Sequence, residues 1–192
     1  MQELIHRKVQ LSEEFLKEFN EVQRLFRDRS YDFDSALNRL TDALLHHYHE
    51  TGNTTAESEV LKVQNTLSLL RKGFNPVKME KIQSGKRELF WGFAFSGLES
   101  LYSLLLEAYR AEQQKLDEGT ELISGLFLSM YQNGVLTDQK IAALNTVEEI
   151  GLYWRTLAEQ NTTIAGIYKK LRLTLIDEDI FLLTERIIHR LH

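Results

Sequence analysis

The chain has 192 residues, 43% of them hydrophobic and 27% charged, with a formal net charge of -5 and no cysteine. That length suits one domain, or two small ones, and is enough to bury a substantial core. The missing cysteines exclude disulfides, thiolate metal sites and a cysteine nucleophile. The acidic balance disfavours nucleic acid as a partner. The opening residues, Met1 to Lys8, lack the charged-then-apolar order of a secretion signal, and with the absent cysteines this sets a soluble, cytoplasmic protein as the expectation.

One proline, Pro76, interrupts the chain, and apolar residues recur at helical rather than strand spacing. In the first segment Leu4, Leu11, Phe15, Val22 and Leu25 form one stripe, with Ile5, Val9, Leu16, Phe19 and Phe26 beside it. This face is wider than a coiled-coil seam and predicts a helix packed into a multi-helix core. Residues 28–34 are polar and turn-prone. Asp32 or Asp34 is the expected cap of a second helix running to about His49, with Gly52 as its left-handed stop. Thr54 and Glu57 have capping-box spacing and predict a third helix ending near Gly73.

Asn75-Pro76 reads as the next helix start. An unbroken run from there to Lys115 would span roughly 60 Å, so a break is expected at Ser84-Gly85. A further helix is expected to carry Leu122, Leu126 and Met130 and to stop at Asn133-Gly134. Another starts at Thr137 or Asp138 and passes through Trp154 to about Gln160. A short piece covers 163–171 and a last helix 177–192. The alternating run Leu171 to Leu175 has no partner strand and reads as a helix end or connector. The expected fold is therefore all-α: a single domain over residues 1–192, built as an irregular bundle of six to eight helices.

Three features could carry function. The first is the cluster His46, His47 and His49, where His46 and Glu50 share a helix face as two metal ligands could. The Glu-x-x-His pairs of carboxylate-bridged metal bundles are missing apart from Glu3 and His6. Histidines in a helix's last turn also meet the negative end of its dipole favourably. The expectation is therefore no metal site and no cofactor.

The second feature is Arg39-x6-His46, with Tyr48 two residues on. It resembles the Arg-x4–6-His motif of the HEPN family, all-α proteins that include ribonucleases and often act as dimers. The resemblance covers these few residues and implies Arg39 and His46 as an RNA-phosphate-contacting, cleavage-supporting pair. Seven residues make about two helical turns, so both side chains fall on one face.

The third feature is charge asymmetry. Residues 62–87 hold Lys62, Arg71, Lys72, Lys78, Lys81, Lys86 and Arg87 against one acid, Glu80, a candidate surface for an anionic ligand. They lead into the most apolar stretch, Leu89 to Leu106. Basic residues before an aromatic helix suit membrane contact, whereas Glu99 and Glu107 oppose a lipid-spanning role. A central bundle helix surrounded by neighbours explains the same composition. On that reading Trp91, Phe93, Phe95, Leu98, Leu101 and Leu105 belong to the core, and Gly92, Ser96 and Gly97 mark close helix crossings.

No phosphate loop, nucleophile elbow or zinc-protease helix occurs. The first expectation is thus a non-catalytic helical module that binds another protein, as an adaptor, inhibitor, immunity-type protein or assembly subunit. The alternatives are an RNA-cleaving HEPN-like protein using Arg39 and His46, and a peripheral membrane protein using residues 78–106.

Overall fold

The computed structural model describes residues 4–191. They form eight helices: α1 Ile5–Arg27, α2 Phe33–Glu50, α3 Thr54–Arg71, α4 Lys86–Gln132, α5 Asp138–Ile141, α6 Val147–Gln160, α7 Thr162–Leu171 and α8 Asp177–Leu191. The all-α class and the number of helices are as expected. The only β pairing among the described residues is an isolated bridge between Phe74 and Lys81.

Two compact units emerge. One comprises Ser12–Ala108, the other Met1–Leu11 with Tyr109–His192. Each has its own core. In the Ser12–Ala108 unit α2 lays Phe33, Leu37, Leu40 and Leu44 against Val60, Leu67 and Leu70 of α3, with Phe19 of α1 and Leu98, Leu101 and Leu105 of α4 completing the cluster. Those leucines recur at i, i+3 and i+7, which is how a helix presents one buried stripe. Arg71 at the end of α3 forms an ion pair with Asp34 and donates to Asn38 at 3.0 Å, tying the end of α3 to the start of α2.

The other unit centres on Trp154, Phe127, Ile123, Ile150 and Ile180, all fully buried. The Trp154 indole stacks on Tyr168 at 5.3 Å, and its Nε1 donates to Thr184 at 3.0 Å. A buried indole needs such a partner for its single donor. At Gly119 of α4 a Cβ would come within 2.6 Å of a Leu175 methyl, so any larger residue there would force the Leu175 side chain to move.

The same unit contains a cap that joins distant parts of the chain. The Asp179 carboxylate accepts from the backbone N–H groups of Ile5 at 3.0 Å and His6 at 3.1 Å. It also accepts from the His6 ring Nδ1 at 2.8 Å. The first N–H groups of a helix have no partner within it, so α8 supplies the cap that α1 lacks locally. Burial alone raises the Asp179 pKa, but the hydrogen bonds from His6 and Ile5 outweigh it and hold the carboxyl below its ordinary value.

Several local expectations are corrected. Asn75-Pro76 does not start a helix. The Asn75 Oδ1 accepts from Val77 and Lys78 N–H at 2.9 and 3.1 Å, and Met79 takes a left-handed φ of 55°, so side-chain turn chemistry wins over helix propagation. The helix begins instead at Lys86, just past Gly85, and does not stop near Lys115. It runs 47 residues, about 70 Å, and includes the expected separate helix of Leu122, Leu126 and Met130. The expected break at Ser84-Gly85 is present, but the helix beyond it outruns Lys115 because its residues up to Ala108 belong to one unit and those from Tyr109 to the other.

Asn53, not Thr54, caps α3 by accepting from Ala56 N–H at 3.1 Å. Asp32 is at the cap position of α2 without a side-chain capping bond. The helix expected from Thr137 to Gln160 divides into α5 and α6, and a full capping box forms at Thr146 and Glu149.

Candidate functional site

Arg39 and His46 both lie on α2, about 10 Å apart along its axis by helical rise, and both are exposed. Arg39 lines a concavity of about 310 Å³ together with Glu18, Glu21, Val22, Ala36 and Leu40. His46 is not part of that lining, and its Nε2 faces Glu50 at 3.3 Å. Glu21 is engaged by Arg24 at 2.6 Å, and that hydrogen bond lowers its pKa. Arg39 thus faces two carboxylates, Glu18 and Glu21, the second paired with Arg24, and shares no concavity with His46.

The other histidines diverge. The His49 Nδ1 contacts Glu57 at 3.2 Å, while the His47 ring lies 5.5 Å from Phe15 and 5.3 Å from Tyr48. Among the described residues no group of three or more His, Cys, Asp or Glu is placed to hold a metal ion.

The His6–Asp179 pair, which nothing in the local sequence signals, has the geometry of an oriented imidazole, with Nε2 unpartnered and buried. Its position is structural: it is enclosed at the start of α1. His6 is 7% exposed and Asp179 fully buried, and the carboxylate already serves two backbone N–H groups of α1. A general base must reach its substrate, and this one is closed in.

The basic segment and the apolar stretch of α4 meet at a more open place. The core expectation holds for Leu98, Leu101 and Leu105, but Trp91 and Phe93 are only partly buried and Phe95 is 52% exposed. Trp91 and Phe95 lean on Phe26 of α1, at 5.1 and 6.3 Å between ring centres. α4 is long and apolar enough to cross a membrane by length and composition. Its 18-residue window has mean hydropathy 1.3, yet only 22% of that window is buried. The expectation of a helix enclosed on nearly all sides is thus corrected, because the neighbours cover one stripe and leave the flanks open.

On one flank α3 and α4 border a groove of about 430 Å³, walled by Val63, Thr66, Val77, Phe93 and Gly97. Gly97 permits it. A Cβ there would lie 2.9 Å from the Val63 Cγ1, whereas nothing lies within 4 Å of a Cβ at Gly92. Of the small residues expected at close crossings, Gly97 is one and Gly92 is not. Val77 and Met79, in the turn that replaces the expected helix, are 76% and 65% exposed.

Sequence reasoning found the basic run and α4 but missed the groove. Its walls come from three separate segments, and the turn at Asn75 was its only local signal. No protein-family model, curated protein or solved structure matches the chain.

Proposed function

We propose that this protein is a non-catalytic, cytoplasmic binding module that recognises another protein through the α3–α4 face of the Ser12–Ala108 unit. The observation that carries this reading is the incomplete cover on α4, an apolar helix with 22% of its most hydrophobic window buried beside an apolar groove. Apolar surface left in water is unfavourable by about 25 cal/mol per Å², and a contiguous exposed patch of it marks an interaction surface. Helix-lined grooves are filled by apolar side chains of a partner element. An adaptor, inhibitor or assembly subunit would use such a face.

The test is a photo-reactive phenylalanine analogue placed at Phe93 or at Met79 in the full chain, activated in living cells. The reading expects polypeptide adducts from these positions and none from Lys17, an exposed residue on α1. Adducts with lipid alone would refute it in favour of membrane contact.

A further inference from the structure

The α3–α4 crevice has a charge order along its length. At one end Arg71, Lys86, Arg87 and Phe90 line a concavity of about 430 Å³. Arg71 is offset by Asp34, and the Lys86 Nζ donates to the Arg71 carbonyl at 2.8 Å. Lys86 and Arg87 therefore have no acidic partner among the described residues, and Glu88 is not in this lining. The middle is the groove of Val63, Val77 and Phe93, mainly apolar, whose lining also holds Lys62 and Glu59. At the other end Glu59, Glu99 and Glu107 line a third concavity, of about 390 Å³, with Leu104 at its apolar edge. Glu59 faces Lys62 at 3.7 Å, while Glu99 and Glu107 make no ion pair among the described residues. The three linings succeed one another from residue 86 to 107 along α4 and from 71 to 59 along α3, the second and third sharing Glu59 and Ser100, so the concavities follow one another as a track along α4.

Resting on the protein-binding reading above, we propose that the occupant of this track is a single amphipathic helix with an apolar stripe, an acidic end and a basic end. The span from Lys86 to Glu107 is about 32 Å at helical rise, which matches a partner helix of about twenty residues. Its acidic end lies over Lys86 and Arg87, its apolar stripe enters the groove at Phe93, and its basic end lies over Glu99 and Glu107. Helices commonly carry acids in the first turn and bases in the last, because these complement the backbone dipole. Complementary charge sets orientation and register, while the apolar stripe supplies the burial. An anionic lipid surface would meet the basic end but be repelled by Glu99 and Glu107, so the charge order favours the helix over a membrane.

The probes are three synthetic helical peptides of about twenty residues with one shared leucine stripe. One is acidic at one end and basic at the other, one is uniformly acidic and one uniformly basic. Binding to the full chain is measured by fluorescence anisotropy at low salt. The bipolar peptide is expected to bind about tenfold more tightly than either uniform one, the sum of a few exposed charge pairs at each end. The double variant Lys86→Glu, Arg87→Glu should then prefer the uniformly basic peptide, and Glu99→Lys, Glu107→Lys the uniformly acidic one. All four positions are exposed, so both variants should fold, as circular dichroism will verify.

Equal binding of all three peptides, or preferences that the variants do not move, would overturn the inference. So would stronger binding to phosphatidylserine–phosphatidylcholine vesicles than to any peptide, or a dimer of this chain whose dissociation tracks the same substitutions. If the charge order fails while a photo-reactive group at Phe93 still joins the protein to a polypeptide, the protein-binding reading stands without it. If that group captures only lipid, both fall.

Discussion

Replacing Asp179 with alanine removes three hydrogen bonds at once, since its carboxylate accepts from the Ile5 N–H, the His6 N–H and the His6 ring at 3.0, 3.1 and 2.8 Å. Both Asp179 and His6 are buried, so water does not replace the lost acceptor. Hydrogen bonds to a charged group contribute about 1.5–3 kcal/mol each and an unsatisfied buried donor costs about 1–3 kcal/mol, while a lost N-cap alone costs about 0.5–2 kcal/mol. These contributions share one acceptor and do not add. A destabilisation of about 3 kcal/mol is expected, in the range for breaking a buried pair.

The pH dependence has a definite sign. The folded-state pKa of Asp179 is below its ordinary value of 3.8. Its contribution is therefore fully present above that value and is lost as pH falls through the lower, folded-state pKa. Urea unfolding followed by far-ultraviolet circular dichroism measures the loss, and hydrogen exchange at the Ile5 and His6 amides reports the cap directly. Asp179→Asn keeps one acceptor oxygen, so it should lose less and should lack the acid-limb decline. If Asp179→Ala costs less than about 0.5 kcal/mol, the scale of an ordinary surface change, and leaves both amides as protected as before, the remote cap is refuted.

Gly97→Ala should cost about 1–3 kcal/mol by overpacking, because its Cβ would meet Val63 at 2.9 Å. Val63→Ala in the same chain should recover part of that loss, and purely additive effects in the thermodynamic cycle would contradict the close crossing. Leu101→Ala, at a fully enclosed site of α4, should destabilise by about 2–5 kcal/mol in chemical denaturation, and a change near zero would mean that α4 is not anchored through that stripe. Wild type, Arg39→Ala and His46→Ala should be equally inactive on labelled structured and single-stranded RNA without added metal. Cleavage abolished in both folded variants would instead establish the HEPN-like pair.

The fold class was legible in the sequence because helical periodicity is a local property. The paired stripes from Leu4 to Phe26 and the Leu98, Leu101 and Leu105 series mark which face of a helix is buried, and the structure buries Phe19, Val22 and those three leucines. The helix stops at Gly52 and Gly134 were equally local, and both take a positive φ, 68° and 69°. Competition between local motifs was not legible. Asn75-Pro76 and Thr54–Glu57 each fit a helix start, and only the completed backbone shows Asn75 closing a turn and Asn53 taking the cap.

Beyond local range, tertiary structure decided. Nothing near Ile5 in the chain announces that Asp179 caps it. The length of α4 could not be inferred from the size of one core, because two units shelter it. The composition of residues 89–106 shows how apolar α4 is but not how much of it is covered, since coverage is a property of its neighbours. In sequence Lys86 and Arg87 read as part of a basic run, and Glu99 and Glu107 as charges opposing a lipid-spanning helix. That these charges line concavities beside α3, with Glu59 of α3 joining the acidic end, is decided by how α3 and α4 meet, which spacing along a single helix does not contain.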